Sequence, residues 1–150
     1  MNNRHKAKLD RIDKLFFLHL LKFEIERSSG LLRENHVNLL PTETWNSIEG
    51  SGRITLFSRD LADRLGKTYS DCRFYNYEAK IVRDAEEHWH LLGTSEAENQ
   101  YEQLKDRLST AWNTCLGDQL QHLQRAVESE ERNASGHNEA LQAWRVQISP

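Results

Sequence analysis

Between Leu104 and Val127 the chain places Leu104, Leu108, Ala111, Cys115, Leu120, Leu123 and Val127 at helical spacing. The stripe lasts roughly six to seven turns at 3.6 residues each, a periodicity that admits a long amphipathic helix and little else. Ser95-Glu96-Ala97-Glu98 has the S-x-x-E form of a capping box opening it. A second stripe, Leu61, Leu65, Tyr69, Cys72, Asn76, Ala79 and Val82, climbs to the same Gly93-Thr94 turn from the other side. Two such stripes joined by a short turn predict an antiparallel hairpin, roughly 50 Å long at 1.5 Å per residue. If it is symmetric about the turn, Cys72 lies level with Cys115, both on core stripes as buried free thiols, and Asn76 level with Ala111.

The chain has 150 residues, 37% hydrophobic and 29% charged, with two prolines. That length fits one domain, and the high charge fits long helices with one solvated face. The predicted fold is all-α: a long antiparallel helical hairpin with an N-terminal helix packed along it, an elongated three- to four-helix bundle. Helices are expected at about 6–32, 42–49, 59–92 and 96–128, with a short one at 138–147. In the first, Leu9, Ile12, Leu15, Phe16, His19, Leu20 and Phe23 share one face, and Phe17, Leu18 and Leu21 widen it. So apolar a helix is expected to be the inner one, with His19 a satisfied core histidine.

The longest apolar run, 15–21, is far short of the ~20 residues needed to cross a bilayer, and no secretory leader is expected. A cytoplasmic location follows by elimination. Residues 1–14 hold five Lys or Arg and two Asp, whereas 84–131 hold eleven acidic residues and three basic ones. An acidic hairpin disfavours non-specific nucleic-acid binding. The basic first turns are expected to pair with that hairpin, in the same or a neighbouring chain.

Several residues have chemistry to offer. Glu86 and His90 share a helix face, with Glu87 and His88 beside them and Glu102 near their level across the turn, but two ligands on one face do not make a metal site. An exposed acidic turn is expected, with no metal and no cofactor. Asn76, polar on an apolar stripe, is expected to set register or to cap the Trp45 segment.

Arg132-Asn133-Ala134-Ser135-Gly136-His137 resembles the R-x4-6-H signature of the HEPN superfamily, all-α proteins that include metal-independent ribonucleases. The resemblance implies a site paired across a dimer, in which Arg132 holds the scissile phosphate, His137 acts in general acid–base chemistry and Asn133 supports them. The residues themselves read differently. Glu128-Ser129-Glu130-Glu131 precedes the motif and Gly136 interrupts it, which predicts a solvated linker over 128–138. After it, Leu141, Trp144 and Val146 predict a short helix that folds back or a tail that docks on a partner.

Leu40-Pro41-Thr42-Glu43-Thr44-Trp45, followed by Gly50, Leu56, Leu61, Leu65, Tyr69 and Asn76, resembles a pattern of uncharacterised small helical prokaryotic and phage proteins. That resemblance implies a long-helix scaffold and no activity. The function expected from the whole sequence is a non-enzymatic helical protein–protein interaction or scaffold module, capable of self-association, with a protein partner and no small-molecule cofactor. The alternative is a HEPN-like ribonuclease of a defence or toxin system, with RNA as its partner.

Overall fold

The computed structural model describes residues 2–148, with side chains described through residue 136. Among them lie α1 (Asn3–Leu32), α2 (Glu43–Gly50), α3 (Arg59–Leu92) and α4 (Ser95–Ile148), with a 3-10 turn at Arg53–Leu56. There is no strand among the described residues, and the fold is a helical bundle with α1 packed along the α3/α4 hairpin.

The helix ends follow local chemistry. Ser58 Oγ accepts the Leu61 N–H at 3.3 Å to start α3. Gly93, with φ at 65°, ends α3 and donates its N–H to the Trp89 carbonyl at 2.7 Å, a left-handed conformation in which a side chain would be strained. The residue directly after it caps α4: Thr94 Oγ1 accepts the Ala97 N–H at 3.2 Å. The expected cap at Ser95 is therefore displaced by one, because Gly93 completes the reversal alone.

Side chains facing each other across the hairpin fix its register. Tyr75 meets Trp112 edge-on at 6.5 Å, the level expected of a symmetric hairpin, while Trp89 stacks on Tyr101 at 5.5 Å and Gln119 donates to Asp71 at 2.9 Å, each within a turn of it. Antiparallel to α4 runs α1, with Lys14 paired to Glu130 at 3.5 Å and Gln124 donating to Glu26 at 3.1 Å. The core comprises Leu18, Leu21, Ile25 and Leu32 of α1, Trp45 and Ile48 of α2, Leu61, Leu65, Tyr69 and Cys72 of α3, and Leu116, Leu120, Leu123 and Val127 of α4, with their neighbours.

Three further expectations are corrected here. The first concerns α4, which does not stop near Glu128 but continues as one helix of 54 residues to Ile148, roughly 80 Å at 1.5 Å per residue. Glu130 binds Lys14 and accepts the Ser58 N–H at 3.1 Å, so within the polar stretch 128–131 this carboxylate serves lateral contacts. Gly136 costs a helix about 1 kcal/mol and does not end one. The expected helix at 138–147 is thus the continuation of α4 and does not fold back; the side chains of Leu141, Trp144 and Val146 lie outside the described residues.

The second is the inward face of α4. Ala111 and Cys115 are exposed, and their places are taken by half-buried Trp112 and fully buried Leu116. Leu104, Leu108, Trp112, Leu116 and Leu120 follow at steps of four, each step turning the face about 40° further round the axis. This lets α4 face α3 near the hairpin turn and swing towards α1 lower down.

The third is α1. Its buried face is Leu18, Leu21, Glu24, Ile25, Ser28 and Leu32, not the expected face through Phe16 and Phe23. An apolar helix offers two candidate faces, and the core takes the one through Leu18, Leu21, Ile25, Ser28 and Leu32, where the single carboxylate, Glu24, is satisfied by Tyr69 and Thr44. The other runs into Glu26 and Arg27.

Candidate functional site

The face of α1 left outside departs from ordinary burial. Leu9, Ile12, Phe16 and Phe23 are 40%, 53%, 58% and 68% exposed, and His19 between them is exposed too, not a core histidine. Their spacing is a heptad: Leu9, Phe16 and Phe23 recur every seventh residue, with Ile12 and His19 between, the arrangement of a coiled-coil seam. Scattered exposed apolar side chains are ordinary, but a contiguous stripe of them marks an interaction surface. Periodicity pointed to this stripe, and only its direction was misread.

Inside the molecule, the residues of the Leu40-to-Asn76 pattern converge on one clamp. The Asn76 side-chain amide donates to the Leu40 carbonyl at 2.8 Å, and its oxygen accepts the Leu40 N–H at 2.7 Å. Glu24, buried on α1, accepts the Tyr69 hydroxyl at 2.7 Å and the Thr44 N–H at 3.0 Å. This carboxylate satisfies one of the unpaired N–H groups at the start of α2, in place of the N-cap residue Thr42, which makes no cap bond and instead accepts from Asn46 Nδ2 at 3.1 Å. Trp45 is buried against Tyr69, with ring centroids 5.8 Å apart. Burial, then the charge of Glu24, holds the Tyr69 hydroxyl well above the usual phenol range. The polar groups of Asn76 and Glu24 are satisfied within the clamp, and only the buried Trp45 Nε1–H lacks a partner among the described residues, so the clamp is a structural device that fixes α2 between α1 and α3.

The motif residues at the far end of α4 divide. Arg132 and Asn133 are exposed on the helix, and the side chain of His137 lies outside the described residues. Asn133 lines a cleft of about 490 Å³ with Asp10, Arg11, Lys14, Thr55 and Leu56. A larger cleft, about 680 Å³, lies between the end of α1 and the middle of α4. Its charged lining mixes Arg33 and Lys105 with Glu34 and Asp118, so it favours neither anions nor cations.

Near the hairpin turn, Glu86 lies 3.7 Å from His36 Nδ1 and 3.8 Å from His90 Nε2. Among the described residues no group of three or more His, Cys, Asp or Glu side chains is placed to hold a metal ion. Both cysteines are free: Cys72 is buried, and Cys115, expected in the core, is exposed. Burial, then the nearby carboxylates of Asp71 and Glu24, pushes the Cys72 thiol up to about 12. No helix among the described residues is long and apolar enough to cross a membrane.

No family model matches the chain, and no curated protein or solved structure matches it. Both local resemblances therefore stand on their own residues.

Proposed function

We infer that this protein is a non-enzymatic helical interaction module whose working surface is the outer face of α1. The single observation carrying this reading is the uncovered heptad of Leu9, Ile12, Phe16 and Phe23. Burying a large apolar side chain contributes about 1.5–3 kcal/mol, so covering this stripe is a sizeable driving force for association, with itself or with another helix. The Leu40-to-Asn76 resemblance supports a scaffold of a prokaryotic or phage system, and two free thiols suit the reducing cytoplasm. The double variant Phe16→Glu/Phe23→Glu tests the surface. Wild-type melting temperature should rise with protein concentration, by mass action on the associated state. In the variant it should equal the dilute wild-type value at every concentration. A variant that melts well below dilute wild type would make the stripe part of the core and refute the reading.

One observation favours a second reading, a HEPN-like ribonuclease: the Arg132-to-His137 segment lies on a helix, as the family motif does, and Asn133 opens on a cleft with basic Lys14 at its wall. On that reading Arg132→Ala and His137→Ala abolish RNA cleavage at unchanged thermal stability. Intact RNA after incubation with pure wild-type protein removes it.

A further inference from the structure

The α1 stripe has a counterpart on the same chain. Phe74, Tyr77 and Ile81 are 62%, 72% and 47% exposed along the outer side of α3. The same seven-residue spacing continues through His88 to exposed Leu91, interrupted by Asp84. The two stripes belong to opposite ends of the bundle. Helix α1 ends at Leu32, beside Tyr75 and Leu108, so α3 and α4 continue to the hairpin turn without it. The start of α1 lies instead beyond Lys14, which sits at Glu130. Glu24 meets Tyr69, so the α1 stripe ends roughly 8 Å, at 1.5 Å per residue, before the α3 stripe begins at Phe74; the two lie end to end, and both are exposed, so neither covers the other within one molecule.

Charge follows the same division. Residues 4–14 carry five Lys or Arg and two Asp, whereas residues 84–102 carry six acidic residues and no Lys or Arg. Area argues for using both stripes. At ~150–250 Å² per large side chain, the α1 stripe exposes on the order of 400 Å², about half of the ~800 Å² that each partner gives to a stable interface.

We propose that the occupant of the α1 stripe is the α3 stripe of a second copy, in a two-fold dimer where α1 of each chain lies antiparallel along α3 of the other. The inference rests on the interaction-module reading and specifies its partner. Antiparallel packing sets the basic first turns of α1 against the acidic hairpin end of the second copy. It buries Leu9, Ile12, Phe16 and Phe23 on Phe74, Tyr77, Ile81 and Leu91. Two-fold symmetry makes the contact twice, so each copy uses both stripes and the assembly closes at two chains.

Sedimentation equilibrium on wild type, Phe16→Glu, Tyr77→Glu and an equimolar mixture of the two variants tests this. Both replaced side chains are exposed, so dilute variants should melt like wild type, with Ile12→Glu and Phe74→Glu as replacements if one does not. Each variant alone should dimerise at least tenfold more weakly than wild type. The mixture should associate more tightly than either variant alone, because one of its two α1–α3 contacts is then free of substitutions. If only Phe16→Glu weakens association, α1 pairs with α1 of the second copy, which overturns the proposal and leaves the interaction-module reading standing. A wild type that stays monomeric and whose melting temperature ignores concentration overturns the dimer and leaves the interaction-module reading with a different protein as the occupant of the α1 stripe.

Discussion

The Asn76 amide shows how a polar residue can be embedded in an apolar stripe without being a ligand site. Its two bonds to Leu40 hold the connection between α1 and α2 on α3, and unmaking them would leave backbone groups without partners at about 1–3 kcal/mol each. Cys72 affords a residue-scale test. Its thiol ordinarily ionises near 9.0 and is pushed up to about 12 in the fold. Between those values the native state keeps a proton that the unfolded chain has released. Stability is therefore fully present below about pH 9 and falls as pH rises through that window. In Cys72→Ala the onset of alkaline unfolding, followed by circular dichroism, should move from about pH 9 to about pH 10, where tyrosines begin to ionise in the unfolded chain. An unchanged onset would mean that Cys72 is not held in the core.

At the scale of the element, the hairpin was legible because its signal is long: the α3 stripe from Leu61 to Val82 is buried but for half-buried Asn76, and Gly93 turns the chain where expected. Two things were not legible, for different reasons. A helix as apolar as α1 at its centre has two possible inner faces, and only the packing of Leu32 and Ile25 against the other helices selects one. The end of α4 was obscured by composition, because Glu128 to Glu131 reads as solvated whereas Glu130 is engaged by Lys14 and Ser58. Of the motif residues, sequence supplied Arg132, Asn133 and His137 but not the cleft that Asn133 lines, whose walls include the distant α1 residues Asp10, Arg11 and Lys14. Native-state hydrogen exchange reports on the α4 correction. The amides of 129–135 should exchange much more slowly than a random coil, as helical groups do, and random-coil rates across that stretch would restore the linker.

On the scale of the whole molecule, three helices pack through the middle and pairs of helices extend towards the ends, with α1 beside α4 at one and α3 beside α4 at the other. Each extension presents an apolar stripe whose large side chains are exposed. The central claim is that the outer face of α1 exists to be covered, and the molar mass of the pure protein tests it most directly. Light scattering over a dilution series should give a mass near twice 17.6 kDa at high concentration, falling towards 17.6 kDa on dilution. A mass of 17.6 kDa at every concentration would contradict self-association through that face.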